Sequence, residues 1–572
     1  MSFETTYNQW AAHENLDTLV KEDMEHLANH PELIEDAFYQ PLSFGTAGMR
    51  GIIGAGINRM NTYTVRQATT GLALYLETLG EEAKNKGVVI AYDSRHQSPE
   101  FSMIAAEVLA SHNIKAYVFE SLRPTPELSF AVRHLGCAAG IMVTASHNPP
   151  AYNGYKVYGP DGGQIAPDFA EQLTSFIKNI ENPLNIELGT AEQKEAYIAI
   201  VGKEIDEAYL EAIKSVTVNP ELVKRSGSDL SLVFSPLHGT GAMLGERALK
   251  NAGFTNVTLV PEQAKPDPDF TTVASPNPEE EAAFEYAKDL GKKVKAELLV
   301  ATDPDADRMG AAILTPEGTY QILTGNQLGT LMIDYILKQL SELNELPQNG
   351  KVVKSIVSSD LPTRVCQKYG VDMVNVLTGF KFIAEKIESY EADQSGEFLF
   401  GFEESYGYLV KSFARDKDAI QAMVLLAEVA VYYKEKDMTL YDALIDIYEA
   451  FGYFEEKTIS VTLTGKEGQE KIQEILTSAR NTPATEFGGV KVLAIEDYQI
   501  KERQLTDGTK EIIDLPSSNV LKYLLEDGSW VAIRPSGTEP KIKFYISTVG
   551  ATAEEAITKR DLFTKDIELL TK

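Results

Sequence analysis

In Thr302-Asp303-Pro304-Asp305-Ala306-Asp307-Arg308, three carboxylates stand at alternating positions just after an apolar run, Leu298-Leu299-Val300. Carboxylates so spaced can converge on one hard divalent cation, and the Arg308 guanidinium beside them suits a phosphate oxygen. An EF-hand loop would need Gly at its sixth position and Glu at its twelfth. Arg308 and Leu314 occupy those positions, so that assignment fails. Surface Asx turns are the bland alternative, but three aspartates at the end of a buried strand repel one another unless a cation joins them.

Thr144-Ala145-Ser146-His147-Asn148-Pro149-Pro150 follows a second apolar run, Gly140-Ile141-Met142-Val143. The loop lacks the Gly-x-Ser-x-Gly frame of a hydrolase elbow, and a base rarely reaches its nucleophile from the next position in the chain. Ser146 is then either a helix cap, the commoner use of such a residue, or a carrier of phosphate. Arg534-Pro535-Ser536-Gly537-Thr538-Glu539-Pro540 supplies a guanidinium, hydroxyls and a glycine that lets backbone N–H groups approach an anion. An ordinary Pro-Ser-Gly turn explains it equally well. Gly401-Phe402-Glu403-Glu404-Ser405-Tyr406-Gly407 could grip sugar hydroxyls, or be a solvated acidic turn.

The elements around these loops recur. A short apolar run ends in a polar loop and a helical pattern follows: Val88–Tyr92 into Asp93-Ser94-Arg95, 140–143 into Ser146, 232–234 into His238, 298–300 into Asp303 and 398–400 into Glu403. Strands alternating with helices predict an α/β chain with largely parallel sheets, whose ligands sit beyond the carboxyl ends of the strands. Leu16, Leu19, Val20, Met24 and Leu27 predict an opening amphipathic helix. Lys457–Thr464, 490–495 and 542–547 read as strands of a smaller α+β domain. The expected divisions are residues 1–200, 201–322, 323–452 and 453–572.

The charge of −31, from 53 Lys+Arg against 84 Asp+Glu, excludes nucleic acid and anionic membranes as partners, because both bind through basic excess. Two cysteines, Cys137 and Cys366, provide no disulfide framework and no Cys-based zinc site. Residues 1–4 lack a signal-peptide pattern, and the apolar stretch 419–433 is interrupted by Gln421 and Glu428 and too short to span a bilayer. A cytoplasmic location is expected, and no pattern bears on oligomeric state.

Taken in order along the chain, these loops resemble the α-D-phosphohexomutase superfamily, with Phe44-Gly45-Thr46-Ala47-Gly48-Met49-Arg50-Gly51 opening the series. Within it, Thr378-Gly379-Phe380-Lys381, Glu403-Glu404-Ser405 and Arg415-Asp416-Lys417-Asp418 are similar to the phosphoglucomutase branch, which also holds phosphopentomutases. The resemblance implies four domains around a central cleft, three related α/β units with mixed sheets and a smaller α+β C-terminal unit that swings to close. It implies a phosphorylated Ser146, with Asp303, Asp305, Asp307 and the Ser146 phosphate holding Mg²⁺. Arg50 and Lys156, ten residues past the serine, would flank the phosphoryl group, and His147 would support the site. Glu403, Ser405, Lys381, Gly379, Lys417 and Arg308 would bind substrate, and Arg534, Ser536, Gly537 and Thr538 the phosphate that is not reacting.

The implied reaction interconverts α-D-glucose 1-phosphate and glucose 6-phosphate through a phosphoserine enzyme and glucose 1,6-bisphosphate. Glu404 and Tyr406-Gly407 replace the Met and downstream His of the common phosphomannomutase pattern, favouring glucose over mannose; pentose phosphates remain alternatives. A phosphotransferase using Asp303 as nucleophile would leave Ser146 and the Arg534 loop unexplained, and a non-catalytic sugar-phosphate sensor would have no need of the serine. Since the substrates are anions, Arg50, Lys156, Arg308, Lys381, Lys417 and Arg534 are expected to make a basic centre in an acidic protein.

Overall fold

A computed structural model describes residues 2–45, 48–463, 465–536 and 541–570. Three sheets share one plan. In the first, the strands run in the order Met49–Ile52, Tyr152–Tyr158, Ala139–Val143, Val88–Tyr92, Ala116–Phe119, Ile198–Val201. The second runs Tyr320–Ile322, Met309–Leu314, Leu298–Thr302, Leu232–Ser235, Val257–Leu259, and the third Gly407–Leu409, Glu397–Glu403, Gly350–Ser355, Asp372–Val376. Four neighbouring strands are parallel in the first sheet and three in each of the others, and in each the strand before the chemistry-bearing loop pairs with an antiparallel return strand.

This plan corrects two expectations. The sheets are mixed rather than largely parallel, as the family resemblance implies. The loops after Val143, Thr302 and Glu403 lead back into strands, not into helices. Each reversal is turned by one non-glycine residue in the left-handed region: Ser146 at φ +53°, Ala306 at +51° and Tyr406 at +65°. The return strand 309–314 is a six-residue apolar run, which periodicity alone cannot assign to strand or helix. With no helix beginning at Ser146, there are no orphan N–H groups for it to cap. The capping explanation of that serine therefore falls.

The fourth unit is an eight-stranded sheet with antiparallel pairing throughout, flanked by helices Gly465–Asn481 and Ala553–Leu570. It contains the three expected strands, as Tyr453–Thr462, Val490–Asp497 and Lys541–Gly550; Thr464 lies outside the described residues. The expected opening helix is Thr18–Asn29, but Phe3–Ala11 precedes it. That earlier helix is polar except for a stripe ending in Trp10, which packs edge-on against Phe38 and Tyr63 with ring centroids 5.7 and 5.4 Å away.

The apolar stretch 419–433 is a helix, Ala419–Lys434, buried on every side up to Tyr433 within a core shared by the first three units. Its polar residues are satisfied. Gln421 Oε1 accepts from the N–H groups of Val410 and Lys411, and Glu428 accepts from Val218, Asn219 and the Tyr335 hydroxyl. No helix among the described residues is long and apolar enough to cross a membrane.

Gly452, at φ +98°, alone joins helix Leu440–Phe451 to strand Tyr453–Thr462, between the third and fourth units. Arg364 pins this joint by donating to the Phe451 carbonyl at 2.6 Å while lying 4.8 Å over the Phe454 ring. Beside it, burial pushes the Glu456 carboxyl up to about 7, against weaker opposition from Ser359. A carboxyl raised on folding binds more protons in the folded state, so its contribution to stability falls as pH rises from the ordinary Glu value through 7. Glu456→Gln is accordingly expected to raise the melting temperature at pH 8 and leave it unchanged near pH 4.5, in paired thermal melts.

Candidate active site

Three loops from three sheets meet at one point. Ser146 Oγ donates to Asp303 Oδ2 at 2.9 Å and lies 3.2 Å from His147 Nδ1. Asp303, Asp305 and Asp307 are buried, and one oxygen from each falls within 4.8 Å of the others. Asp303 Oδ1 accepts the N–H groups of Asp307 and Arg308, so the loop wraps its own first carboxylate. Asp305 Oδ2 accepts from Lys156 Nζ at 2.9 Å and Thr125 Oγ1 at 2.9 Å. Lys417 Nζ lies 3.1 Å from Asp307 and 2.9 Å from Asp416, whose other oxygen accepts from the Tyr158 hydroxyl. Asp305 Oδ1 and Asp307 Oδ1 are buried and lack hydrogen-bond partners.

The electrostatics follow from this crowding. Burial, then the charges of Asp305 and Asp307, push Asp303 well above the usual carboxylate range. Burial would do the same to Asp305, but the Lys156 ammonium outweighs it and holds that carboxyl well down. Burial, with Arg308 and Arg50 nearby, keeps His147 well below the ordinary imidazole value. Lys417 stays charged although buried, because Asp307 and Asp416 hold its proton.

Backbone contacts join the loops. The Thr125 N–H donates to the Asp305 carbonyl, the Met309 N–H to the Tyr406 carbonyl and the Ala419 N–H to the Ala306 carbonyl. The Thr240 N–H donates to the Pro304 carbonyl at 2.8 Å, and a Cβ added at neighbouring Gly239 would stand 2.3 Å from Pro304 Cα. Gly239→Ala must therefore move backbone of the acidic loop. Overpacking of this kind costs about 1–3 kcal/mol, so a lower melting temperature together with a turnover loss of about tenfold or more is expected.

The other predicted residues are distributed around this point. Arg308 Nη1 pairs with Glu279 at 2.8 Å, and Arg50 reaches the Ser146 loop through Asn148 Oδ1 at 2.9 Å. Glu403, buried at the end of its strand, accepts the Gly379 N–H at 2.8 Å, and burial followed by Glu404 raises its carboxyl. Ser405 lies half-buried in the next turn. Glu404 does not share that direction: its carboxylate accepts from Ser355 and Ser358, so it braces the loop from behind. Lys381 is set apart from the acidic triad, over the Phe382 ring, with Glu385 as the charge acting on it. Arg534 lies 3.4 Å from the Tyr545 hydroxyl, itself influenced by Glu404 and Glu403, and the Ser536 N–H donates to the Lys541 carbonyl. Gly537 and Thr538 lie outside the described residues, as do Thr46 and Ala47.

Family models for the phosphoglucomutase/phosphomannomutase alpha/beta/alpha domains I, II and III match residues 41–184, 207–315 and 324–451, and the C-terminal domain model matches 483–560. The chain belongs to the phosphoglucomutase/phosphomannomutase family. Like the rest of that family it is a mutase, an enzyme that moves a phosphoryl group within its substrate. It is 43% identical over 533 residues to a phosphoglucomutase of Staphylococcus aureus strain bovine RF122 / ET3-1, covering 93% of each chain. Its fold matches the open form of the Paramecium phosphoglucomutase parafusin with a TM-score of 0.68 at 18% identity, over 93% of this chain and 95% of that one. A phosphoglucomutase/phosphomannomutase family protein of Burkholderia thailandensis matches with a TM-score of 0.64 at 18% identity, over 92% and 97%.

The family member holds functional side chains that its motifs do not announce. Thr125 supports the acidic loop from far along the chain. Asp93 and Arg95 sit beneath Ser146, and the one signal of them was a polar triplet at a strand end.

Proposed function

We propose that this enzyme interconverts α-D-glucose 1-phosphate and glucose 6-phosphate, with Ser146 carrying the phosphoryl group. The observation that supports this most is the meeting of Ser146 Oγ with Asp303, 157 positions apart in the chain. The donor set fits one small divalent cation, since hard oxygens converge and two buried carboxylate oxygens lack partners. Mg²⁺ held by Asp303, Asp305, Asp307 and the Ser146 phosphate would offset the negative charge on the transferring group.

The phosphoryl group passes from Ser146 Oγ to the free sugar hydroxyl. One P–O bond breaks as another forms, and the proton lost by the attacking sugar hydroxyl is balanced by the one that the departing Ser146 Oγ gains. The resulting glucose 1,6-bisphosphate turns about, and its other phosphate returns to Ser146. Lys156, Arg308 and Arg50 surround the group being transferred. Glu403 and Ser405 hold the sugar hydroxyls, aided by Gly379, Lys381 and Lys417, and Arg534 with the loop that follows binds the phosphate at rest. In this chemistry the protein contributes mostly position and charge. Closure of the fourth unit about Gly452 would keep water from the phosphoserine.

The assignment of substrate is tested by measuring kcat/KM side by side on glucose 1-phosphate, mannose 1-phosphate and ribose 1-phosphate. Glucose 1-phosphate is expected to lead, and a clear lead for either of the others would reassign the enzyme.

A further inference from the structure

Ser146 is 4% exposed and held in the left-handed backbone region, a conformation that a serine keeps only where its surroundings over-determine it. Its two flanking peptide groups are both fixed by the loop after strand Val88–Tyr92. On the amide side, the Ser146 N–H donates to Thr144 Oγ1 at 2.9 Å, and that hydroxyl donates to Asp93 Oδ2 at 2.6 Å. On the carbonyl side, the Ser146 oxygen accepts from Arg95 Nη2 at 2.6 Å.

Arg95 does more than hold this carbonyl. The same guanidinium donates to the carbonyls of Asn148, Pro149 and Tyr152, so its planar fork gathers the whole reversal between the two strands. Asp93 lies 3.3 Å from Arg95 Nε and accepts the Arg95 N–H and the Ser98 hydroxyl, fixing the arginine in turn. From the second unit, the Phe270 ring covers the guanidinium at 4.9 Å, and Asp269 pairs with His96 at 2.7 Å. Arg95 is 2% exposed and reaches neither the acidic triad nor open solvent in any of these contacts.

We infer that Arg95 is a positioning residue for the phosphoryl carrier: it holds the Ser146 Oγ at the acidic loop while touching no substrate itself. The inference rests on Ser146 being the carrier. A phosphoserine that must donate to one sugar oxygen and accept from another has little tolerance for drift, and displacement by about 1 Å can cost on the order of 100-fold in rate. A lysine cannot replace Arg95, because a single ammonium does not span four carbonyls in a plane.

The test compares Arg95→Lys, Arg95→Ala and Ser146→Ala in the full-length enzyme on glucose 1-phosphate. Both arginine variants should lose about 100-fold in kcat with KM within about threefold of the parent, as misplacement of the carrier predicts. Millimolar guanidinium should restore at least about tenfold of the Arg95→Ala loss by refilling the fork, and methylammonium should not. A kcat within threefold of the parent in Arg95→Lys, a loss confined to KM, or a loss untouched by guanidinium in folded Arg95→Ala would overturn the inference. If Arg95→Ala does not fold, the kcat-against-KM split in Arg95→Lys decides. Turnover surviving in Ser146→Ala would instead overturn the carrier assignment, so the two failures are distinguishable.

Discussion

Ser146→Ala is expected to remove mutase turnover by on the order of 10⁴-fold or more, because on the proposed function the enzyme then loses the oxygen that carries the phosphoryl group between sugar oxygens. The fold should survive. The Thr144 hydroxyl still receives the residue 146 N–H and Arg95 still holds its carbonyl, so the left-handed turn keeps both anchors. What disappears is the Oγ contact to Asp303 and to the neighbouring His147 ring. A melting temperature close to the parent alongside vanished conversion of glucose 1-phosphate is the expected pair of results. Full activity in the variant would make the serine loop merely structural.

Asp305→Asn should have the next largest effect. The substitution keeps shape but removes a charge that Lys156 offsets directly and that Thr125 helps to hold. Two consequences are expected: kcat lower by about 10²–10³-fold, the scale for losing one preorganised electrostatic group, and a higher Mg²⁺ concentration needed for half-maximal activity. A divalent-ion titration of parent and variant, each after chelation, checks both. Unchanged activity of the parent with its metal chelated would contradict the assignment of the acidic loop.

Much of this site could be read in the sequence because its chemistry is local. Asp303, Asp305 and Asp307 lie within five residues of one another at the end of an apolar run, where like charges repel unless a cation joins them. The run Thr144–Pro149 is local in the same way. Pairings between distant residues carry no such local trace. Thr125 reaches Asp305 across 180 positions, and Glu428 supports Val218 across 210. Nothing in the residue types near Thr125 marks it for that purpose.

The β-reversals leave little trace in the sequence for a related physical reason. A return strand such as Met309–Leu314 is covered on both faces, so it lacks the alternation that would distinguish it from a buried helix. The left-handed residues that turn them are serine, alanine and tyrosine, which give no hint of positive φ, unlike glycine. Glu404 shows the limit of motif reading within the site itself. Adjacent to Glu403, it points the opposite way, because neighbouring side chains at a strand end face opposite sides of the sheet. Of the six cations expected at the centre, Lys156, Lys417 and Arg308 converge on the acidic loop and pair with its carboxylates, Arg50 reaches the Ser146 loop, and Lys381 does not join them.

The central claim is that Ser146 carries the phosphoryl group. Incubating the enzyme with glucose 1,6-bisphosphate bearing labelled phosphate, quenching in acid and mapping the labelled peptide tests it most directly. The account predicts acid-stable label on Ser146, chased off by glucose 1-phosphate as labelled bisphosphate. Acid-labile label on Asp303, or no label on the protein during sustained turnover, would contradict it.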